Sequence, residues 1–388
     1  MSMSAIHSLL AVMGLASLSV AAGYALLALI AVLVWRTRDR IQTSVKLPPV
    51  TVLKPLCGTE PGLYENLRSF CLQDYPEFQV IFGVRDRDDP ALAVVARLLA
   101  EFPSLPIDVV VDPRQHGGNR KVSSLINMLA QARHDVLVMA DSDACVGPDY
   151  LAAVTAPLLD RKVGLVTCIY HGEPTQPIWS RLGAMYVNEW YVPSVLLAWL
   201  FGHRSYASGQ TLCMRRETLQ RIGGLRAIAD HLADDYRLGE LVRGLGLRIA
   251  LSPYVPKAEH HEPTLDLLLR HELRWMRTLR VLRPRSFGLI FFGFSLPLAA
   301  VGLLLCEVEA SPSTLAWTLF QITVLARVAL HFTHRLRGDR PLLADFWLVP
   351  ARDLLLCWVW WRTFFASRIT WRGSEFDVDA HGIMRSSS

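Results

Sequence analysis

Apolar residues fall into three patterns along the chain. The first is a long run, Leu9 to Trp35, without a single Asp, Glu, Lys or Arg. An α-helix needs roughly 20 apolar residues to cross a hydrocarbon core about 30 Å thick, so this run predicts a membrane-spanning helix. It is longer than the apolar core of a cleavable signal peptide, and no Lys or Arg precedes it. The second pattern is a series of short β-branched runs. Pro48 to Leu53, Val80 to Val84, Ile107 to Val111 and Val136 to Ala140 read as buried strands, with helices over Leu63–Leu72, Ala91–Glu101 and Val122–Arg133 between them. That alternation predicts an α/β fold with right-handed crossovers and a mainly parallel sheet, whose ligands gather at the carboxyl ends of the strands. From Leu151 to Arg283 the pattern predicts longer helices and fewer strands. The third pattern follows Pro284. Phe287–Cys306 and Leu315–Phe332 read as two further spans; Leu342–Phe365 is interrupted by Pro350, Arg352 and Asp353, and reads as an interfacial piece plus a span or as a re-entrant hairpin.

The chain therefore divides into an N-terminal anchor and linker (1–47), a soluble α/β domain (48–286) and C-terminal membrane or interfacial helices with a tail (287–388). Arg36, Arg38, Arg40 and Lys46 follow the first apolar run and no Lys or Arg precedes it, which places the soluble domain in the cytoplasm. The connection Glu307–Ser313 has no Lys or Arg, whereas the next contains Arg335, Arg337 and Arg340, in agreement with that orientation. At 388 residues and 52% hydrophobic content the chain holds one large core plus several membrane segments. The net charge of +5 comes from basic clusters flanking apolar segments, which fits an anionic membrane face rather than nucleic acid. Seven cysteines without CxxC spacing read as reduced packing residues. Tyr191 to Phe201 is too short to span a bilayer and reads as an interfacial helix near a lipid entry slot, or as a buried one.

Candidate chemistry lies mainly at predicted strand ends. Asp141-Ser142-Asp143 directly follows the run Val136 to Ala140. In extended chain, side chains two apart point the same way, so both carboxylates face one point. Two hard oxygen anions there suit Mg2+ or Mn2+ bridging to a diphosphate; a solvated turn or helix cap would use the same residues. Asp86, with Asp88 and Asp89 beside it, ends the strand Val80 to Val84 at the same edge, and either accepts hydrogen bonds from a nucleotide base or belongs to a polar loop. His116-Gly117-Gly118-Asn119-Arg120-Lys121 offers backbone amides and two cations to a phosphate or base. Asp234 and Asp235 precede a helix expected over Tyr236 to Arg243. They either cap it or supply a carboxylate that takes the proton from an acceptor hydroxyl. In the helix expected over Leu267 to Leu282, Arg270, Arg274 and Arg277 share one stripe, a clamp for a pyrophosphate leaving group or a contact to anionic lipid. Trp275 beside them packs under a sugar or fills the core.

In order and spacing, Leu53-Lys54-Pro55-Leu56, Val84-Arg85-Asp86-Arg87-Asp88-Asp89-Pro90, Lys121, Asp141-Ser142-Asp143, Ser208-Gly209-Gln210, Ala233-Asp234-Asp235-Tyr236 and Leu273-Arg274-Trp275 resemble the motifs of the ceramide glucosyltransferase family. These are inverting enzymes with the GT-A fold, a Rossmann-like nucleotide-diphospho-sugar transferase domain. The resemblance runs from about Pro48 to Trp371-Arg372-Gly373. It implies a UDP-sugar-dependent, metal-dependent hexosyltransferase on a membrane lipid, flanked by transmembrane helices. Lys54, Asp86, Lys121, Asp141, Gly209, Arg274 and Trp275 would bind the nucleotide-sugar, with Asp86 on uridine. Asp143, with Asp141 beside it, would hold Mg2+ or Mn2+, and Asp235 would be the catalytic base. Arg274-Trp275 completes the family's (Q/R)xxRW element, whose first position is here His271, with Arg270 one place earlier; Arg270 and Arg277 are the candidates for the diphosphate clamp.

Gly62 to Phe70 and Arg270 to Trp275 are most similar to the bacterial hopanoid-biosynthesis branch. That implies transfer of N-acetylglucosamine to bacteriohopanetetrol by a multi-pass protein of the bacterial inner membrane. Glucosylation of ceramide from UDP-glucose is the alternative. A polyprenyl-phosphate sugar transferase, a processive polysaccharide synthase and a cation-binding membrane scaffold each fit part of the pattern.

Overall fold

The computed structural model describes residues 2–38, 47–175, 177–307, 313–335, 345–365, 368–371, 374–378 and 382–386. The basic positions Arg40, Lys46, Arg337 and Arg340, and Arg372-Gly373 of the C-terminal motif, lie outside the described residues. The chain forms two compact units. One contains Met1–Arg38, Gln176–Gly202 and Glu262–Ser367; the other contains Asp39–Thr175, His203–His261 and Arg368–Ser388. Both are discontinuous in sequence, whereas a reading along the chain cuts it into continuous spans.

The helices are α1 (Met3–Arg36), α2 (Leu63–Cys71), α3 (Ala91–Glu101), α4 (Arg120–Leu129), α5 (Tyr150–Thr155), α6 (Ile178–Tyr186), α7 (Val192–Leu200), α8 (Arg216–Arg221), α9 (Asp234–Gly244), α10 (Leu265–Leu282), α11 (Ser295–Glu307), α12 (Thr314–Arg335) and α13 (Val349–Arg362). The strands are β1 (Val50–Pro55), β2 (Phe78–Val84), β3 (Ile107–Val111), β4 (Val136–Met139), β5 (Ala144–Cys145), β6 (Val163–Cys168), β7 (His171–Pro174), β8 (Leu212–Arg215), β9 (Arg248–Ser252) and β10 (Lys257–His260), followed by a C-terminal set, β11 (Arg368–Trp371), β12 (Ser374–Val378) and β13 (Met384–Ser386).

In the sheet-containing unit, seven strands lie in the order β3-β2-β1-β4-β8-β6-β9. β3, β2, β1 and β4 are parallel, as the alternation predicts, and β8 runs antiparallel to β4 and β6. Alternate side chains of a strand face opposite ways, and the core obeys this. Val50, Val52, Val80, Phe82, Val136 and Val138 pack on one face with α2, α3 and α5, whereas Leu53, Ile81, Leu137 and Met139 pack on the other with α4 and α9. Fully burying each such side chain stabilises the fold by about 1.5–3 kcal/mol, which fixes the register and so the position of the residues just past each strand. A second small sheet, β5-β10-β7, sits beyond β4.

The other unit holds the apolar helices. α1 and residues Thr314–Thr333 of α12 are long and apolar enough to cross a membrane. The single span expected over Phe287 to Cys306 is instead bent by 76° between Phe287–Gly293 and Ser295–Glu307. Pro297 accounts for the break: without an N–H it cannot bond the carbonyl of Gly293 in a continuous helix, whereas in the first turn of α11 that N–H is not needed. In the last apolar segment, the described part is a short 3-10 turn, Phe346–Leu348, followed by α13.

Charged residues buried in this unit are paired. Arg327 of α12 meets Glu189 at 2.7 Å and Asp353 at 2.8 Å, and Arg352 of α13 meets Glu272 of α10 at 2.5 and 2.7 Å.

Candidate active site

The strand order reverses between β1 and β4, the kind of switch point at which ligands of open α/β sheets settle. Lys54, near the end of β1, is fully buried there. Its ammonium lies 3.8 Å from the Phe70 ring centroid and donates to the Asp141 carbonyl. Burial pushes its ammonium down to about 7, against the opposing pull of Asp143 and Asp141. Asp141 and Asp143 lie in the turn between the end of β4 and β5.

The Ser208-Gly209-Gln210 turn before β8 ties the centre together. Gly209 N–H donates to Asp235 Oδ2 at 3.0 Å, and Gly209 carbonyl accepts from Asp141 N–H at 3.2 Å. Gln210 Nε2 donates to Asp143 Oδ1 at 3.0 Å. A Cβ on residue 209 would stand 2.7 Å from Lys121 Nζ and 2.8 Å from Asp141 Oδ2, so only glycine allows these two ends to approach the turn.

Lys121 reaches the same place from α4. That helix begins two residues before its expected start because the Asn119 side chain caps it, accepting from Val122 N–H at 3.1 Å. Lys121, now in the first turn, meets Asp141 Oδ1 at 2.6 Å and Asp234 Oδ2 at 3.6 Å. Burial opposes its charge, but Asp141, Asp234 and Asp235 outweigh it and hold the ammonium well above its ordinary value.

Asp234 and Asp235 open α9, whose N-cap, Ala233, has no side-chain cap. Asp235 Oδ1 accepts from Tyr236 N–H at 2.7 Å, so it serves the helix start while Oδ2 faces Gly209. Burial, then the neighbouring Asp234, pushes the Asp235 carboxyl up to about 6, although Lys121 lowers it. A carboxyl poised there can take a proton near neutral pH.

Four carboxyl groups (Asp141, Asp143, Asp234, Asp235) thus share two ammonium groups (Lys54, Lys121). Asp143 is pushed up to about 6 by burial and then by Asp141, with Glu60 adding to it. A divalent cation would relieve this repulsion. The Oε1 of Gln210, whose Nε2 holds Asp143, is buried without a hydrogen-bond partner among the described residues, so a further hard oxygen lies at hand. Among the described residues no three His, Cys, Asp or Glu side chains gather as a ligand set. Asp141 and Asp143 fit a hard cation that takes its remaining ligands from water and phosphate oxygens, the habit of Mg2+.

Asp86 sits just past β2 with its side chain 72% exposed and 3.9 Å from Arg85 Nε. Asp89 instead secures the neighbouring loop, accepting from Gly58 N–H at 3.0 Å and Ala91 N–H at 2.9 Å. The remaining sequence candidates lie on α10 in the other unit. Arg270 is exposed and paired with Asp266 at 2.7 Å. Arg277 is half-buried, and burial lowers its pKa. Trp275 packs against Tyr186 and His271, with ring centroids 5.2 and 4.0 Å away. His271 meets Glu262 at 3.0 Å.

The sequence offers no role for Gln210 beyond its place in the Ser208-Gly209-Gln210 motif, and none for Asp234 as a partner of Lys121. Sequence reasoning also passed over Glu189 and Arg327, whose signal was present: charges inside otherwise apolar segments. The seven cysteines are free thiols, and burial pushes Cys71 and Cys168 up to about 12, which suits packing rather than nucleophilic roles.

Known proteins resemble the chain in sequence and in fold. The chain is 23% identical over 376 residues to ceramide glucosyltransferase 1 of Caenorhabditis elegans, covering 91% of this chain and 77% of that protein. It is 23% identical over 251 residues to ceramide glucosyltransferase 3 of the same organism, covering 64% of this chain and 54% of the relative. Among solved structures, the mannosyltransferase PcManGT of Pyrobaculum calidifontis, in complex with GDP-Man and Mn2+, superposes with a TM-score of 0.52 at 19% identity, over 92% of this chain and 99% of that one. The fold is therefore GT-A. With residues 14–384 matching it, the chain belongs to glycosyl transferase family 21, and it is a glycosyltransferase.

Proposed function

We propose that the protein moves a sugar from a UDP-sugar to a primary hydroxyl of a membrane lipid, with inversion at the anomeric carbon. The observation that carries this reading is the Gly209 turn, which holds Asp235 on its N–H and Asp141 on its carbonyl, with Lys121 paired to Asp141 and Asp234. Asp235 takes the proton of the acceptor hydroxyl as its oxygen attacks the anomeric carbon and UDP leaves. Lys121 stabilises the departing diphosphate, and Gln210 orients Asp143. Mg2+ or Mn2+ held by Asp143 and Asp141 would supply Lewis-acid stabilisation of the same leaving group. Asp86 is assigned to uridine, and Arg274, Trp275, Arg270 and Arg277 to donor and diphosphate, on the sequence motifs alone.

The names of the curated relatives support ceramide as acceptor and glucose as sugar. The stretches Gly62 to Phe70 and Arg270 to Trp275 support the second reading, N-acetylglucosamine to a hopanoid polyol. Arg36 and Arg38 at the C-terminal end of α1 support a catalytic unit on the cytoplasmic side of an inner membrane that carries the chain. One experiment tests the whole reading: purified protein with UDP-glucose or UDP-N-acetylglucosamine against ceramide or bacteriohopanetetrol, the product identified by mass. A hexosyl or N-acetylhexosaminyl lipid in one combination is expected; none in any would refute it.

A further inference from the structure

Between a 3-10 turn, Leu225–Ile228, and α9 the chain runs as a loop through Ala229 to Ala233, and Ala233 gives α9 no side-chain cap. Asp234 and Asp235 follow at once, so their place depends on what fixes this loop. Its partner comes from the C-terminal sheet of the same unit. His231 forms an antiparallel bridge with Ile383, flanked by a hydrogen bond on each side. Leu232 N–H donates to the Gly382 carbonyl at 3.0 Å, and Met384 N–H donates to the Asp230 carbonyl at 2.8 Å. Gly382, at φ +78°, makes the left-handed turn that leads into the bridge. β13 also pairs with β12, Met384 opposite Val378, so the loop is joined to a sheet rather than to a lone strand.

The start of α4 rests on the same loop. The Ala229 carbonyl accepts from Asn119 N–H at 2.7 Å, Asp230 Oδ1 from Gly118 N–H at 2.8 Å, and the His231 carbonyl from Asn119 Nδ2 at 3.0 Å. Asn119 is the residue that caps α4 and so sets Lys121 in its first turn. Met384 is 5% exposed and sits over Gly118, where a Cβ would lie 3.5 Å from its Cβ and 3.6 Å from its Cε. It therefore touches both segments: its backbone bonds the loop that leads to Asp235, and its side chain covers the loop that leads to Lys121. Burial of the Met384 side chain alone would need no backbone bonds; two of them around a bridge fix the distance as well.

We propose that Gly382–Met384 is a positioning segment for sugar transfer. It holds the Asp230–Leu232 and Gly118–Asn119 loops together, and through them keeps Asp235 and Lys121 at their places beside the Gly209 turn. This rests on the reading of Asp235 as the base, and adds to it the element that holds the base in position. Met384 acts through the two loops and takes no part in proton transfer.

The test uses the full-length protein, a chain ending at Asp379, and the variants Met384→Ala and Met384→Leu. Turnover is measured with UDP-glucose and ceramide and with UDP-N-acetylglucosamine and bacteriohopanetetrol, and hydrogen exchange is followed over residues 117–122 and 229–236. A displacement of about 1 Å costs roughly 100-fold in rate, so the shortened chain is expected to lose roughly 10- to 100-fold. The loss should fall on kcat rather than on donor KM, since both residues act as the diphosphate leaves. Met384→Ala opens the space over Gly118 and should lose part of this, whereas Met384→Leu, close in volume, should stay within about twofold of wild type. Exchange in both segments should quicken by roughly 10-fold in the shortened chain while β1 and β4 stay protected. A peptide of residues 380–388 added in trans should restore turnover and slow the exchange. Turnover within about twofold of wild type in the shortened chain and in Met384→Ala, or unchanged exchange in both segments, would overturn the proposal. If the shortened chain does not fold, the contrast between Met384→Ala and Met384→Leu decides in the same way. Asp235→Asn, measured alongside, decides the base reading by itself: full activity there would sink that reading, while exchange still reports whether Gly382–Met384 holds the loops.

Discussion

Gly209→Ala is the sharpest perturbation of the centre. The added methyl would stand 2.7 Å from Lys121 Nζ and 2.8 Å from Asp141 Oδ2, whereas non-bonded atoms settle at about 3.5 Å or more. Each end must therefore retreat by roughly 0.7 Å. Both are tips of side chains that can swing, so the fold loses little, about 1 kcal/mol at the low end of overpacking costs. Catalysis loses more, because the displaced atoms are an ion pair 2.6 Å long at the centre of the site, and a displacement of about 1 Å costs roughly 100-fold in rate. The assay is kcat/KM for sugar transfer alongside the melting temperature, with Gly244→Ala as control. A Cβ at Gly244, in the last turn of α9, meets nothing within 4 Å, so that variant keeps wild-type activity. Transfer by Gly209→Ala within twofold of wild type would refute the claim that the turn must approach both side chains.

Asp235→Asn removes the proposed base and is expected to lower transfer by roughly 100- to 10,000-fold while UDP-sugar still binds; turnover near wild type would reject the assignment. Because the Asp235 carboxyl is raised to about 6 and acts when ionised, wild-type kcat/KM is expected to fall as pH drops through about 6 and to level off above it. The same raised pKa means that the native state favours the protonated form. Its contribution to stability is full below the unfolded value near 3.8 and is lost as pH rises through about 6. Asp235→Asn should accordingly melt no lower than wild type at pH 8, and a lower melting temperature there would contradict the electrostatic account. In the helical unit, Glu272→Gln leaves Arg352 buried without its carboxylate and should destabilise the protein by about 3–5 kcal/mol, read as a loss of folded protein on heating in detergent. Pairing it with Arg352→Met should recover part of that loss.

The first half of the sheet was legible in sequence for a physical reason. Strands buried on both faces are short apolar runs, and β1, β2 and β4 are such runs, so the acids just past β4 could be placed at a sheet edge from sequence; β3, expected to be buried as well, is instead an edge strand with Val109 and Val111 exposed. The small second sheet was not. β7 and β10 read His171-Gly172-Glu173-Pro174 and Lys257-Ala258-Glu259-His260, with no apolar signal, because they pair in a small sheet beside the main one. Lys54 could be named as part of a motif, but nothing in sequence says that its ammonium is wholly buried against Phe70 and the Asp141 backbone. Gln210 was likewise present as a letter, while its hold on Asp143 depends on how β8 is entered. The bend before α11 was within reach of sequence, since Pro297 stands ten residues into an apolar run that looks continuous by hydropathy alone.

The central claim is that this acidic centre transfers sugar to lipid with the help of a divalent cation. It is tested most directly by stripping the purified protein with EDTA, adding back Mn2+ or Mg2+, and counting UDP released and glycolipid formed in the same reaction. Both should fall to background without metal and return together, one UDP for each glycolipid, with Asp143→Asn failing to respond. Transfer undiminished in EDTA, or no UDP released under any condition, would contradict it.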